Sequence, residues 1–357
     1  MVRSTDPAGP ILVDFFSGCG GTSLGFKQAG IEPVVAIDID RDALETYGRN
    51  LPSTTRIQRD IRDVHEDSLA EVLGPLRDRP LIFAACAPCQ PFSRQRRGTT
   101  ADLGQASLIA ELVRFVTRWR PSAIFLENVP GLQTRAEGRA QFDGIRASLK
   151  SMEYEVRFRT VEARAYGVPQ RRRRLVVLAS QSGSIDIPVG EFGNGGQGYV
   201  TVRDAIEGYP PLPAGGVDES IPNHRAARMS DLNIRRIRAT PEGGDHRSWP
   251  VSLVNGCHTR NKVAHVDAYG RLAWDAPSGA LTTRCISYSN GRFGHPTQDR
   301  AISLREAAAI QTFPDSFVFE GTLTSAARQI GNAVPVLLAK RFGEAIVAGL
   351  VETGRPA

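Results

Sequence analysis

The first half of this chain is a succession of short, continuously apolar runs, each closed by small or polar residues. Ile11–Phe16 (ILVDFF), Val34–Ile39, Leu81–Ala85 and Ala123–Leu126 have the length and apolar content of strands buried on both faces. Between them, Asp42–Tyr47 and Ser107–Arg118 read as helices, the second with Leu108, Leu112, Val113 and Val116 at helical spacing. Apolar strands alternating with helices predict an α/β fold with a parallel sheet covered on both sides. Two further strands, Tyr154–Val161 and Leu175–Ala179, are joined by a loop too short for a crossover helix, which predicts an antiparallel pair.

After Ser180 the texture changes. Gly183 to Gly198 holds six glycines, and from there to about Arg300 no helix or strand rhythm is evident. Regular structure returns at Ser303–Ile310, where Ser303 and Glu306 predict a capping box. A last helix is expected from about Val334, with Pro335 in its first turn and the stripe Val334, Leu338, Phe342, Ile346 and Leu350 on one face. The 357 residues suit about two domains. They are expected to be 1–180 with 319–357, and 181–318. No apolar run approaches the ~20 residues that span a bilayer, so no membrane partner is expected and the cytoplasm is the default location.

Five cysteines are an odd count and too few for a disulfide framework in a chain this size. Cys257, His258, His265 and Cys285 have no recognised ligand spacing, so no metal is expected. The formal charge is +6, compatible with a polyanionic partner. Of the 44 basic residues only Lys27, Lys150, Lys262 and Lys340 are lysines, leaving forty arginines. Arginine suits phosphate and base-edge contacts, although coding bias explains the same excess.

Four motifs fall at strand ends or in a strand-joining loop. Asp14–Gly21 (DFFSGCGG) is a glycine turn of the kind that lets a ligand approach the backbone, with Asp38 and Asp40 closing the next strand at the distance of a ribose-binding carboxylate. Ser23 stands where a dinucleotide fingerprint needs its third glycine, so an adenosine ligand without pyrophosphate fits better. Cys86–Ser93 (CAPCQPFS) is either a redox pair or a rigid turn presenting Cys89 as a lone nucleophile. Glu127-Asn-Val-Pro130 again ends a strand. In Tyr166–Arg174 (YGVPQRRRR), alternation on an extended chain turns Arg172 and Arg174 to one side and Arg171 and Arg173 to the other. Two further segments, Ser303–Asp315 and Gln329–Pro335 (QIGNAVP), have no mechanism readable from spacing.

Together, in this order, these six segments resemble the cytosine-C5 DNA methyltransferase family. The match runs from Ile11 to about Ile346, interrupted near 181–280. The resemblance implies a Rossmann-like sheet, mostly parallel with one antiparallel strand, forming a catalytic, cofactor-binding domain, and a smaller irregular target-recognition domain. It implies a DNA (cytosine-5-)-methyltransferase that uses S-adenosylmethionine on a cytosine flipped out of double-stranded DNA. A monomer is expected, and the modification half of a restriction–modification pair is one setting for it. A tRNA methyltransferase on the same scaffold would carry a Cys-Phe-Thr signature, which this sequence lacks. A DNA-binding module with a dead site would not keep Cys89, Glu127, Arg172 and Arg174.

By that resemblance Cys89 is the nucleophile that adds to C6. Glu127, holding or sharing a proton, bonds N3 and the exocyclic amine; Arg174 contacts O2, and Arg172 supports the site. Phe16 stacks on the donor's adenine, Asp38 takes the ribose hydroxyls, and Asp60 with Ile61 reads the adenine edge. Ser17, Gly18, Gly20 and Gly21 admit the methionine part, with Ile39, Pro88, Asn332 and Ala333 completing the cofactor set. Ile39 stands where the family often has an aromatic, and Ala87 where it has Gly or Pro. Cys86 beside the nucleophile is expected to make the chain oxidation-sensitive. Gln90, Ser93, Arg94 and Arg97 belong to a loop, 94–104, expected to close over DNA. Arg235, Arg236 and Arg238, Arg260 to Lys262, and Thr282, Thr283 and Arg284 are the candidate DNA contacts of the irregular region.

Overall fold

The computed structural model describes residues 9–87, 108–193, 196–254 and 267–352. Within them the chain forms two compact units. The first comprises residues up to Glu162, Arg173–Gly190 and Val334 onward; the second comprises Ala163–Arg172 and Glu191–Ala333. This differs from the expected division: 181–190 belong with the first unit, whereas 163–172 and 319–333 belong with the second. Within the second unit, the helices Leu304–Ile310 and Leu323–Asn332 pack on each other.

The first unit is built on a seven-stranded sheet. Its strands are β1 (Ile11–Phe15), β2 (Glu32–Asp38), β3 (Thr55–Gln58), β4 (Leu81–Ala85), β5 (Ala123–Asn128), β6 (Glu155–Glu162) and β8 (Arg173–Ser180), in the order β3-β2-β1-β4-β5-β8-β6. β3 to β5 pair in parallel through β2, β1 and β4, and β8 runs antiparallel to both β5 and β6. The sheet is thus mostly parallel with one antiparallel strand. Val13, Phe15, Phe83, Phe115, Ile124 and Val177 lie in one fully enclosed cluster, with Phe15 edge-on to Phe83 at 5.0 Å. On the other face the Phe125 ring meets Phe26 edge-on and Phe342 at a tilt. Burial of aromatic and branched side chains on both faces is what makes these strands read as unbroken apolar runs.

Helix α1 (Gly21–Gln28) follows β1, and α2 (Arg41–Asn50) follows β2, capped by Asp40 accepting from Ala43 N. The C-terminal helix Val336–Glu352 buries its whole stripe, Val334 being 3 % exposed and Leu338, Phe342, Ile346 and Leu350 0 %. Pro335 stands just before this helix, not in its first turn, and its carbonyl accepts the bond from Ala339 N. At Gly25 a Cβ would sit 2.4 Å from the Val336 carbonyl, so α1 and the last helix meet backbone to backbone.

The second unit has little regular structure: the helices Val202–Ile206, Asp231–Arg238, Leu304–Ile310 and Leu323–Asn332, and a two-residue parallel pair of β7 (Gln170–Arg171) with β9 (Ser278–Gly279). Its irregular backbone has many carbonyls that no ladder satisfies, and buried arginines meet them. Arg271, 4 % exposed, donates to the carbonyls of Ile237, Thr240, His295 and Gln298 and to Asp299. Arg305 bridges the carbonyls of Pro222, Pro314 and Phe317. Arg300 forms a two-pronged ion pair with Glu306, which also completes the capping box with Ser303.

Candidate functional site

The glycine turn after β1 is shaped by three left-handed residues in five: Phe16 (φ 57°), Gly18 (φ 53°) and Gly20 (φ 94°). At Gly20 a side chain would meet the Tyr47 ring at 2.9 Å; at Gly18 it would meet nothing within 4 Å among the described residues, so that α-carbon faces open space there. The Ser17 hydroxyl is buried and has no partner among the described residues. Gly21 opens α1.

Asp38 ends β2 beside this turn. Its Oδ2 accepts from Gly18 N at 2.7 Å and its Oδ1 from Asp40 N at 2.8 Å. Two backbone donors therefore fix the carboxylate's orientation, while burial pushes its pKa above the ordinary value. Ile39 next to it is 66 % exposed, an apolar surface beside a polar cradle. Asp60 is tied by Arg62, whose side chain makes a two-pronged contact at 2.9 and 2.5 Å and lowers the carboxyl's pKa. Ile61 is buried in the main core cluster.

At the same end of the sheet, Glu127 near the close of β5 is 6 % exposed. Arg174 on β8 places Nε 2.6 Å from its Oε1. The alternation expected of the arginine run is present: Arg171 and Arg173 are exposed, Arg172 is buried and Arg174 half-buried. Asn128 Nδ2 donates to the Ala87 carbonyl at 3.4 Å, joining the end of β5 to the segment after β4. The Cys86 thiol there lies 3.5 Å from Thr22 Oγ1. The glycine turn, Asp38, Ala87, Glu127 and Arg174 thus share one end of one sheet, where its strands finish or begin. Adjacent strand ends of this kind form the binding crevice in open α/β sheets.

The remaining sequence candidates divide. Pro88, Cys89, Gln90, Ser93, Arg94, Arg97 and the rest of 88–107 lie outside the described residues, as does Arg260 with 255–266. The expectation about Cys86 and Cys89 therefore also falls outside them.

In the second unit, Arg172 is 3 % exposed and its Nη1 donates to the carbonyls of Leu281 and Gly331. Thr282, Thr283, Arg284 and Cys285 form a turn closed by Cys285 N donating to the Thr282 carbonyl, with Thr283 and Arg284 exposed at its tip. Asn332, exposed, ends the Leu323–Asn332 helix, and Ala333 follows it. Arg235 is exposed on the Asp231–Arg238 helix. Of its neighbours, Arg236 is buried over Trp249 and Tyr269 and bonds the Leu253 carbonyl, whereas Arg238 is exposed and pairs with Asp299 at the surface.

Two clusters carry polar chemistry that spacing did not reveal. Beneath the glycine turn, Ser23 Oγ donates to Asp14 Oδ2 at 2.6 Å and Tyr47 donates to Ser23 Oγ at 2.7 Å; burial pushes Asp14 up to about 7. In the second unit Gln170 and Gln311, both 0 % exposed, bond each other. The only sequence signal for either was a polar residue inside an otherwise apolar or small-residue motif.

Comparison with known proteins agrees with this geometry. The family model for C-5 cytosine-specific DNA methylase matches residues 11–348. The Type II methylase M.HgiDII of Herpetosiphon aurantiacus is 38 % identical over 343 residues, covering 94 % of each chain. The Type II methyltransferase M1.HphI of Haemophilus parahaemolyticus is 33 % identical over 338 residues, covering 94 % of this chain and 86 % of its own. Among solved structures, the Entamoeba histolytica methyltransferase EhMeth superposes with a TM-score of 0.65 at 16 % identity, covering 96 % of this chain and 99 % of its own. A nearly full-length family match, on a sheet whose strand ends gather the motif residues, leads to one assignment: the chain belongs to the C-5 cytosine-specific DNA methylases.

Proposed function

We propose that this enzyme transfers a methyl group to C5 of a cytosine swung out of double-stranded DNA, through a transient bond between Cys89 and C6. The observation that carries the reading is the gathering of the Asp38 cradle and the buried Glu127–Arg174 pair at one end of one sheet. Cys89 follows two residues after Ala87, whose carbonyl is bonded to that end through Asn128.

The methyl donor is S-adenosylmethionine, which supplies an electrophilic methyl group when bound. The residues present suit it. Asp38 offers an oriented carboxylate for vicinal hydroxyls, and Ile39 an apolar surface for the adenine next to Phe16. The orphaned Ser17 hydroxyl and the open face of Gly18 suit a polar, close-lying chain. Gly20 and Gly21 keep the turn tight. Asp60, Ile61, Pro88, Asn332 and Ala333 join the cofactor set through the motif match.

C5 of cytosine is a weak nucleophile. Addition of the Cys89 thiolate to C6 pushes electron density to C5 and makes it enamine-like. Glu127 holds the ring at N3 and the exocyclic amine, and Arg174, fixed against Glu127, holds O2. Loss of the C5 proton to water and expulsion of Cys89 restore the aromatic ring. A base in the helical stack is out of reach of such a site, so flipping it out costs a few kcal/mol before chemistry begins. Gln90, Ser93, Arg94, Arg97, Arg235, Arg260, Thr282, Thr283 and Arg284 form the proposed DNA-contacting set. The relatives' Type II names extend the reading to a restriction–modification setting with a cognate endonuclease encoded elsewhere, the methylase acting as a monomer in the cytoplasm.

The test is incubation with S-adenosylmethionine and unmethylated genomic DNA, followed by base-resolution mapping of 5-methylcytosine. Marks confined to one short sequence are expected. Duplexes with 5-fluorocytosine at that position, where C5 has no proton to lose, should trap a covalent adduct that Cys89→Ser abolishes. Methylation without an adduct would overturn the covalent route, and absence of marks would overturn the substrate.

A further inference from the structure

Three segments of the second unit converge on one fully buried side chain. Gln311 caps the Leu304–Ile310 helix, and its Nε2 donates to the carbonyls of Ile330 at 2.6 Å and Ala333 at 3.1 Å. Its Oε1 accepts from Gln170 Nε2 at 2.9 Å, and Gln170 Oε1 accepts from Leu281 N at 3.0 Å. A glutamine amide presents both donors and an acceptor, so the pair passes a continuous line of bonds from the Leu323–Asn332 helix end to the chain entering the Thr282–Cys285 turn. Arg172 runs beside it, bonding the carbonyls of Leu281 and Gly331.

The turn is also pressed onto one face of that helix. At Gly331 a Cβ would lie 2.1 Å from the Thr282 carbonyl oxygen and 2.6 Å from Thr283 N. One helical turn earlier, the Cys285 thiol lies 3.6 Å from the Ala327 carbonyl. Both ends of the turn are therefore seated on residues four apart, and only Thr283 and Arg284 protrude.

We propose that Gln311, acting through Gln170, is a positioning residue that sets the placement of the Thr283–Arg284 tip and so governs how strictly the enzyme discriminates its target sequence. This rests on the reading that 282–284 contact DNA. Neither glutamine touches the reacting atoms in this scheme. The chemistry at the Glu127–Arg174 pair is left to other residues, and the glutamines act on recognition. Replacing the Gln311 amide by a carboxylate keeps its size and its acceptor for Gln170, but sets oxygen against the Ile330 and Ala333 carbonyls. Gln170→Glu sets oxygen against Gln311 and leaves the bond from Leu281 N.

The experiment compares wild type, Gln311→Glu, Gln170→Glu and Arg284→Ala. It maps 5-methylcytosine on unmethylated genomic DNA and measures KM and kcat on a cognate duplex, with S-adenosylmethionine affinity as a control. Both glutamine variants are expected to spread marks to sites one base away from the cognate and to raise the KM for DNA by about tenfold, as loss of buried hydrogen bonds implies. kcat should stay within about twofold in both, as should donor affinity in Gln170→Glu, which leaves the Gln311 bond to the Ala333 carbonyl in place. Should Gln311→Glu not fold, Gln170→Glu carries the same test. Undiminished discrimination in a folded glutamine variant, or a fall confined to kcat, overturns the proposal. Arg284→Ala separates the two readings: an unchanged KM for DNA there overturns the contact reading, whatever the glutamine variants do.

Discussion

Arg174 Nε lies 2.6 Å from Glu127 Oε1, and the two residues come from neighbouring antiparallel strands at 16 % and 8 % side-chain exposure. A pair enclosed to this degree is costly to break from one side, because the partner is left as an uncompensated charge. Arg174→Leu is therefore expected to destabilise the first unit by about 3 kcal/mol, and Glu127→Gln added to it to restore part of that loss. Urea denaturation of both singles and the double checks the non-additivity. Equal losses in the double and in the sum of the singles would show that the contact carries no coupling. Each single should lower kcat by about a hundredfold or more in a methyl-transfer assay, since both residues are proposed to hold the base.

Gly331 and Gly18 are expected to respond differently to the same substitution. Gly331→Ala drives a methyl group into the Thr282 backbone, which has no rotamer to yield, and should cost about 3 kcal/mol or more. Gly18→Ala meets open space and should cost only the left-handed backbone penalty of about 1 kcal/mol. Its effect should fall on the donor instead: calorimetric titration should show S-adenosylmethionine affinity lowered by about tenfold or more, the methyl group standing in the proposed ligand space.

The two units are expected to answer pH in opposite directions. Burial raises Asp14 from 3.8 to about 7, so the folded first unit keeps a proton that the unfolded chain releases above about pH 4. Stability from this group is full below about pH 4 and falls as pH rises towards 7. Burial lowers His295 from 6.5 to about 4, so the folded second unit refuses a proton that the unfolded chain takes up. Its contribution is full above about pH 6.5 and is lost as pH falls towards 4. Hydrogen exchange at pH 5 and pH 7.5 should show the second unit losing protection in acid while the β1–α1 region gains it. Asp14→Asn, which still accepts from Ser23, should flatten the first unit's slope; an unchanged slope would show that Asp14 is ionised throughout.

Several elements in both units were legible because their determinants are local. β4 follows directly from Leu81–Ala85, the Ser303–Glu306 capping box from residue spacing, and the exposure of Arg171 through Arg174 from strand alternation. What escaped was structure whose cause is distant. β3 (Thr55–Gln58) is an edge strand with mostly exposed side chains and no apolar run, and the helix Ala136–Ser151 carries two glycines and few apolar residues. Asp38 could be placed at a strand end, but not its two backbone clamps, since Gly18 is twenty residues away. In the irregular stretch Arg236 read as a candidate DNA contact and Arg271 and Arg300 gave no signal, yet all three are buried because of carbonyls far away in sequence.

Those buried arginines bear on how such a protein can change. An arginine that grips backbone carbonyls, as Arg271 and Arg305 do, makes no demand on the side chains it fastens, because every residue type offers the same oxygen. The loops of the second unit can therefore exchange their outward residues one at a time while their paths stay pinned from within. On the proposed reading, in which this unit carries the DNA contacts, such a scaffold permits a lineage to rewrite which sequence it marks without first inventing a new fold.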